Sequence, residues 1–369
     1  MSHRKKIYLY ISNLAKGGAE RVCINLAEYL YSCNYEVAII TSYKSEKEYK
    51  LSNEIKRIIL NDKYYKGNIV RRNIILIRKL RTVINEEQPD VLISFMAESN
   101  MRLILSTIGL NVKRIVSVRN DPDREYEGVF GKFTGKFILP YADGCVFQTE
   151  QAKNWFPKKL RDKSTVIKNP VREDVFQIIR KPVLGRIINI GRLEDQKNHK
   201  MLINAYEKVL KAHSNTELLI YGEGSLRDEL EKIISNKGLN DKIKLCGYFD
   251  DIVSTLSEAD MFILSSDYEG LPNSLMEALS AGVPCISTDC PCGGPRSLIE
   301  NGVNGVLVPI KDEIKLAEAI IDLLSNKSKK ENLSEKAKEF SKAYKTSIIN
   351  KDWKDYIEFI GSDERAIKG

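Results

Sequence analysis

Long hydrophobic runs are missing from this chain of 369 residues. No stretch approaches the roughly 18–20 apolar residues that a helix needs to cross a bilayer, so a membrane span is not expected. The opening Met1-Ser2-His3-Arg4-Lys5-Lys6 runs straight into Ile7–Ile11. That apolar run is too short for a signal peptide and lacks a small-residue cleavage site, which predicts a cytoplasmic protein. Histidine is scarce: residues 1–170 hold only His3, ahead of the first strand, so that half is poor in candidate bases. The seven cysteines are odd in number and scattered, as in a reduced compartment. The one close pair, Cys290-Pro291-Cys292, has no second Cys or His pair at ligand spacing and reads as loop cysteines. Apolar residues make up 43% and charged residues 29%, which excludes collagen, coiled coil and wholesale disorder.

What the chain does have is an uneven charge. Residues 1–170 carry 30 Lys/Arg against 18 Asp/Glu, while 171–369 carry 28 against 32. A basic half suits an anionic partner: phospholipid, pyrophosphate or nucleic acid. No recognisable nucleic-acid module accompanies the charge, so nucleic acid is set aside.

Short apolar strands alternate with helices throughout. Ile7–Ile11, Glu36–Thr41, Val91–Phe95, Arg114–Val118 and Gly144–Gln148 are strand-like, and Ala19–Leu30 has helical spacing. The pattern restarts at Arg186–Ile190 and continues through Leu218–Tyr221, Ile243–Cys246, Met261–Ser265, Pro284–Ser287 and Gly305–Val308. Strands of this kind between helices predict parallel sheets covered on both faces. The fold class expected is α/β, with two doubly wound, Rossmann-like domains. Length alone favours two domains at about 150 residues each. The boundary is placed between Asn169-Pro170 and Pro182, where each X-Pro pair favours extended chain. This gives an N-terminal domain over 1–170, a second over 171–340, and a tail over 341–369 whose stretch Leu333–Ile360 looks helical.

Four segments carry candidate chemistry. Lys16-Gly17-Gly18-Ala19-Glu20-Arg21 follows a strand and opens a helix, where bare backbone N–H groups can meet an anion; an ordinary tight turn reads equally well. Gly191-Arg192-Leu193 with Gln196-Lys197 follows the first strand of the second half, putting two cations where open α/β sheets bind ligands. Arg as a planar fork and Lys as a point charge suit a diphosphate, against the alternative of a solvated loop. Gly222-Glu223-Gly224 opens like a dinucleotide fingerprint, but Arg227 stands where its third glycine belongs, which argues against an NAD-dependent dehydrogenase. The turn's backbone remains a candidate for nucleotide approach. The fourth segment runs Ser265–Ala278, with Glu269 in a sharply turning loop and Glu277 in the helix after it. Carboxylates there can accept hydrogen bonds from sugar hydroxyls or a ribose diol, and the N–H groups of Leu271, Asn273 and Ser274, on either side of Pro272, flank the helix start. The bland alternative is a surface acid plus a helix-dipole acid.

Glu269 and Glu277, with seven residues between them, resemble the E-x7-E motif of retaining glycosyltransferases of family 4, which have the GT-B architecture. Gly17–Arg21, Gly191–Lys197, Gly222–Gly224, Ala281-Gly282-Val283-Pro284 and Asn301–Gly305 match the same family in order, over nearly the whole chain. The resemblance implies two domains facing a cleft that closes about the 170–182 segment, with the C-terminal helix returning to the first domain. It assigns Glu277 to the donor ribose, Glu269 to the transferred sugar, and Arg192 and Lys197 to the diphosphate, where they stabilise the charge that grows on the leaving group. Backbone at Gly17, Gly18, Gly191, Gly222 and Gly270–Ser274 completes the donor site. Attack comes from the front face, the leaving phosphate taking the acceptor proton.

Where many relatives carry a histidine, this chain reads Ser94–Asn100, so any histidine-assisted step is not expected. Ser117-Val118-Arg119-Asn120 resembles the bacterial polysaccharide and lipid-linked oligosaccharide subgroup. By the same subgroup likeness Pro291–Arg296 lies near the donor sugar. Glu98, Arg119 and Asn120 are acceptor candidates. Asp121-Pro122-Asp123 looks like a metal-binding DxD and is discounted, since the second domain supplies cations; neither metal nor cofactor is expected. Asn68–Asn85 reads as a basic amphipathic helix carrying Arg71, Arg72, Arg78, Lys79 and Arg81, with Lys63-Tyr64-Tyr65-Lys66 upstream. It suits an anionic membrane surface or a polyprenyl pyrophosphate; a helix whose basic face is merely wet is the alternative. The expected function is retaining transfer of a sugar from a nucleotide-sugar, UDP favoured over GDP by family frequency, to a lipid-linked glycan, at the inner face of the membrane. A sugar-nucleotide epimerase or hydrolase on the same architecture is the alternative.

Overall fold

The computed structural model describes residues 4–15, 17–61, 67–248 and 251–362. His3, Lys16 and Lys63–Lys66 therefore lie outside the described residues. The chain divides into two compact units, Met1–Asn169 with Ser347–Gly369, and Pro170–Thr346.

The first unit is built on β1 (Lys6–Ile11), β2 (Glu36–Thr41), β3 (Lys56–Ile59), β4 (Val91–Phe95), β5 (Lys113–Ser117), β6 (Gly144–Phe147) and β7 (Ser164–Val166). They lie in the order β3-β2-β1-β4-β5-β6-β7, each pair parallel. The alternation of side chains along a strand explains the two-sided core. Ile7, Leu9 and Ile11 of β1 pack with Leu26, Leu30 and Trp353 on one face. Tyr8 and Tyr10 pack with Leu76, Leu80 and Ile84 on the other.

The second unit carries β8 (Arg186–Ile190), β9 (Glu217–Tyr221), β10 (Ile243–Gly247), β11 (Met261–Leu264), β12 (Cys285–Thr288) and β13 (Val306–Val308), again all parallel, in the order β10-β9-β8-β11-β12-β13. Ile188 and Ile190 face the helix Asn273–Ser280 through Leu275, Met276 and Leu279. Ile187 faces Leu202, Tyr206 and Val209 of the helix His199–Ala212.

In each sheet the order reverses once, between β1 and β4 and between β8 and β11. Ligands of open α/β sheets bind outside the carboxyl ends of the strands at such a reversal. The loops after these four strands carry Gly17-Gly18, Glu98, Gly191–Lys197 and Ser265–Pro272.

The strands β3 and β7 were not expected. Both are sheet edges; the first reads Lys-Arg-Ile-Ile and the second spans three residues, so neither shows a buried apolar run. The expected single tail helix is broken into Lys327–Ser341 and Thr346–Gly361, with a short turn at Lys342–Tyr344 between them. Tyr344 is anchored in the second unit's core and its carbonyl accepts from Val171 N at 2.8 Å. The returning segment therefore begins at Ser347 and not at 341.

Candidate functional site

In the second unit the loops after β8 and β11 are bonded to each other. Lys197 Nζ donates to Glu269 Oε1 at 2.5 Å, and Ser266 Oγ donates to the same oxygen at 2.7 Å. Gln196 Nε2 reaches Glu269 Oε2 at 3.3 Å and the Tyr268 carbonyl at 2.9 Å. The backbones are tied as well, Asp267 N to Gln196 O at 2.9 Å and Ser265 Oγ to Lys197 O at 2.8 Å. Glu269 is 8% and Lys197 13% exposed in their side chains, which makes this a nearly enclosed ion pair. The two groups expected at the sugar and at the diphosphate thus hold one another. Gly191 makes room for the arrangement: a Cβ there would crowd the Lys197 stem at 3.2 Å. Arg192 is exposed and, among the described residues, its side chain makes only a 3.4 Å bond to Gln196, leaving its guanidinium open to an anion.

The glycine turn after β9 is packed against the neighbouring loop. A Cβ on Gly222 (φ +143°) would sit 1.9 Å from Gly191 O, and one on Gly224 would sit 2.3 Å from Leu193 O. The face left bare by these glycines is filled by the backbone of 191–193, so their absence of side chain serves loop packing. Gly294 does the same for the neighbouring loop, since its Cβ would meet Gly270 O at 1.7 Å. That packing lays the 290–296 loop along Glu269, whose N donates to Pro291 O at 2.8 Å while its O accepts from Cys292 N at 3.2 Å. Cys290 and Cys292 are buried free thiols within it.

Glu269, Gly270, Leu271 and Pro272 are buried, and Asn273 and Ser274 open the following helix half-exposed. Its first-turn amides lie at the positive end of the helix dipole. Glu277 lies one turn further on, 5% exposed. Nearby, His199 is fully buried and bonds through Nε2 to Asn189 Oδ1 at 3.0 Å. Burial, with the Lys197 cation adding to it, pushes this imidazole down to about 4.

In the first unit Gly17 is the N-cap of the helix Gly18–Ser32. Glu98, on the helix Ala97–Ser106 after β4, is half-exposed and bridges two arginines, Arg72 at 3.3 Å and the fully buried Arg102. Arg102 also takes Asn73 Oδ1 at 2.8 Å. Met96, preceding that helix, holds a left-handed φ of 76°, uncommon for a residue with a side chain. On the helix Ile69–Glu87, Arg72, Lys79 and Arg81 are committed to internal acceptors, Glu98, Leu60 O and Ser106 O respectively. Arg71 and Arg78 stand exposed beside the exposed Ile69, Val70 and Ile74.

Arg119 is buried and bonds to Asn169 Oδ1, with its guanidinium 6.0 Å from the Phe95 ring centroid. Burial pushes it down to about 10, against the pull of Glu125 and Cys23. Glu125 escaped the sequence reading. Its Oε2 accepts from Arg119 N at 3.0 Å and Asn120 N at 2.9 Å, bracing the loop after β5. Burial raises its carboxyl to about 7 in spite of backbone bonds from Asn120, Arg119 and Ala97. The available signal was an acid on a one-turn helix, Pro122–Glu125, directly after the loop it braces. Asp121 caps that helix at Asp123 N, and Asp123 accepts from Trp155 Nε1 at 2.8 Å.

Comparison with known proteins places these loops in a family. Residues 172–340 match the profile of glycosyl transferases group 1, and residues 16–175 that of glycosyltransferase family 4. Among curated relatives, the GalNAc-alpha-(1->4)-GalNAc-alpha-(1->3)-diNAcBac-PP-undecaprenol alpha-1,4-N-acetyl-D-galactosaminyltransferase of Campylobacter jejuni is 28% identical over 354 residues, covering 94% of this chain and 97% of that protein. Among solved structures, sucrose-phosphate synthase from Thermosynechococcus elongatus superposes with a TM-score of 0.84 at 16% identity, over 97% of this chain and 99% of that one. HepE of Anabaena, in complex with UDP and glucose, gives 0.81 at 16% identity, over 96% and 100%.

Proposed function

Since the chain belongs to the group 1 glycosyltransferases and carries two parallel-sheet units of the GT-B architecture, we propose that it moves a sugar from a UDP-sugar to a lipid-linked glycan during assembly of a bacterial surface polysaccharide, retaining the donor's anomeric configuration. The observation that carries this reading is the Lys197–Glu269 pair at the order reversal of the second sheet, with Glu277 on the helix that follows. Arg192 is the open cation of the loop and meets the diphosphate first. Lys197, already fixed by Glu269, adds a positioned charge without reorganising. Such preorganised charge acts where the leaving phosphate gains negative charge in the transition state. Glu269, held by Ser266 and Gln196, keeps its remaining acceptor capacity for sugar hydroxyls, and Glu277 takes the ribose diol. The helix-start amides beside Leu271–Ser274 complete the anion cradle of the second unit. With two cations in place, turnover needs no metal. The lipid-linked acceptor is supported by the Campylobacter relative and the UDP donor by the Anabaena neighbour. The outward edge of the Ile69–Glu87 helix, with Arg71 and Arg78 among exposed aliphatics, suits the anionic inner face of a membrane or the acceptor's pyrophosphate.

Thermal unfolding with UDP, GDP, ADP and NAD tests the donor assignment. Ligand at about 100 times its dissociation constant stabilises by roughly 2.7 kcal/mol. The expected result is a shift with UDP that Glu277→Ala abolishes while the fold is kept; a shift with NAD alone overturns the reading. Release of free sugar from the donor without any acceptor product overturns the transfer step.

A further inference from the structure

Helices of a globular protein normally turn large apolar side chains inward. Residues 128–137 do the reverse. The helix Gly128–Phe133 runs into the turns Thr134–Ile138 and Leu139–Tyr141. Its inward positions are small: Gly131, where a Cβ would come 2.5 Å from the Tyr126 backbone, and Gly135, where one would come 2.7 Å from Trp155 Cζ3. Thr134 and Leu139 complete the buried side. Outward stand Val129, Phe130, Phe133, Phe137 and Tyr141, each between 50% and 91% exposed. The Phe133 and Phe137 rings lie 5.2 Å apart at the middle of this exposed ridge. The ridge is fastened to the domain from behind, where Lys163 Nζ donates to Pro140 O at 2.8 Å and to Ala142 O.

The charge within it has one sign. From 128 to 141 there are two lysines, Lys132 and Lys136, and no acid. Lys159 places its ammonium 4.6 Å from the Tyr141 ring centroid, at the end of the ridge. Aromatics able to enter the interfacial layer, ringed by lysines able to reach anionic headgroups, are the chemistry of a surface that lies on a membrane.

We propose that the Val129–Tyr141 ridge seats this chain on an anionic bilayer, its aromatic side chains in the interfacial layer and Lys132, Lys136 and Lys159 at the headgroups. The purpose of the seat rests on the reading of a lipid-linked acceptor, but the binding itself does not. The test is cosedimentation of the full chain with phosphatidylglycerol–phosphatidylcholine vesicles and with phosphatidylcholine alone, in the absence of sugar nucleotide. The intact chain should bind the anionic vesicles. Phe133→Ser with Phe137→Ser should weaken this at least about tenfold, and Lys132→Gln with Lys136→Gln should reduce the preference for anionic lipid. Both pairs should keep the thermal transition, because these side chains are exposed. Vesicle binding unchanged by the phenylalanine pair, or absent from the intact chain, overturns the proposal. So does concentration-dependent self-association in buffer that the pair abolishes, which makes the ridge a contact between copies. A thermal shift with UDP that persists in the phenylalanine pair shows that loss of the seat leaves the donor reading untouched.

Discussion

Among the described residues Glu269 is paired with one cation, Lys197, which gives that lysine a structural part besides its proposed contact with the diphosphate. Removing one partner of a buried pair leaves an uncompensated charge and costs about 3–5 kcal/mol, whereas removing both is often close to neutral. Lys197→Met should therefore destabilise the second unit more than Lys197→Met with Glu269→Gln does, although both variants lose turnover; denaturant unfolding of the three proteins measures the coupling. Two other residues set opposite responses to pH. His199 titrates at about 4 in the folded chain against 6.5 for an ordinary imidazole. The unfolded chain therefore binds the extra proton first, and the second unit loses stability as pH falls from 6.5 towards 4. Glu125 is raised from 4.5 to about 7, so there the folded chain holds the proton and the first unit loses stability as pH rises across that range. His199→Gln should flatten the first dependence and Glu125→Gln the second, read as amide exchange in each unit between pH 4 and 7.5. Persistence of either slope in its variant removes that group as the cause.

The helix Thr346–Gly361 belongs to the first unit by packing, not by position in the chain. Trp353 is fully buried with its ring 5.9 Å from that of Phe95, and Ile349, Ile357 and Ile360 join the same core. Tyr356 OH donates to Lys163 O at 2.6 Å and accepts from Cys145 N at 2.8 Å, at the β6 edge of the core. Trp353→Ala should cost the first unit about 3–5 kcal/mol and leave the transition of the second in place, which calorimetry separates. Elements that carry a continuous apolar run were legible in the sequence, as β1 and β4 show. The edge strands β3 and β7 were not, because an edge is marked by its neighbour and not by its own residues. The break at Lys342–Lys345 was hidden for a similar reason: both flanking stretches are helical in pattern, and only the different cores that claim Tyr344 and Trp353 separate them. At the site, the acids and cations stood out as types at a spacing. That Lys197 closes on Glu269, that Gly222 serves a backbone crossing, and that Glu125 braces Arg119 are contacts between distant loops, which no local pattern contains.

Across the molecule, the basic excess lies in the half that carries the membrane-facing candidates and the acidic excess in the half that carries the donor candidates. Nucleotide should accordingly raise amide protection first around 191–197 and 265–277, and only weakly in the first sheet; an equal rise in both units would place the nucleotide elsewhere. The first unit is also interrupted, since its last helix is separated from Asn169 by the whole of Pro170–Thr346. On the ribosome, where chains grow from the amino end, the second unit is contiguous and closes on its own residues, while the first waits for its closing helix until the whole of Pro170–Thr346 has been made. During that interval the pocket meant for Trp353 is open and the apolar floor of the sheet is bare, so the nascent first half is the part of this enzyme most in need of a chaperone.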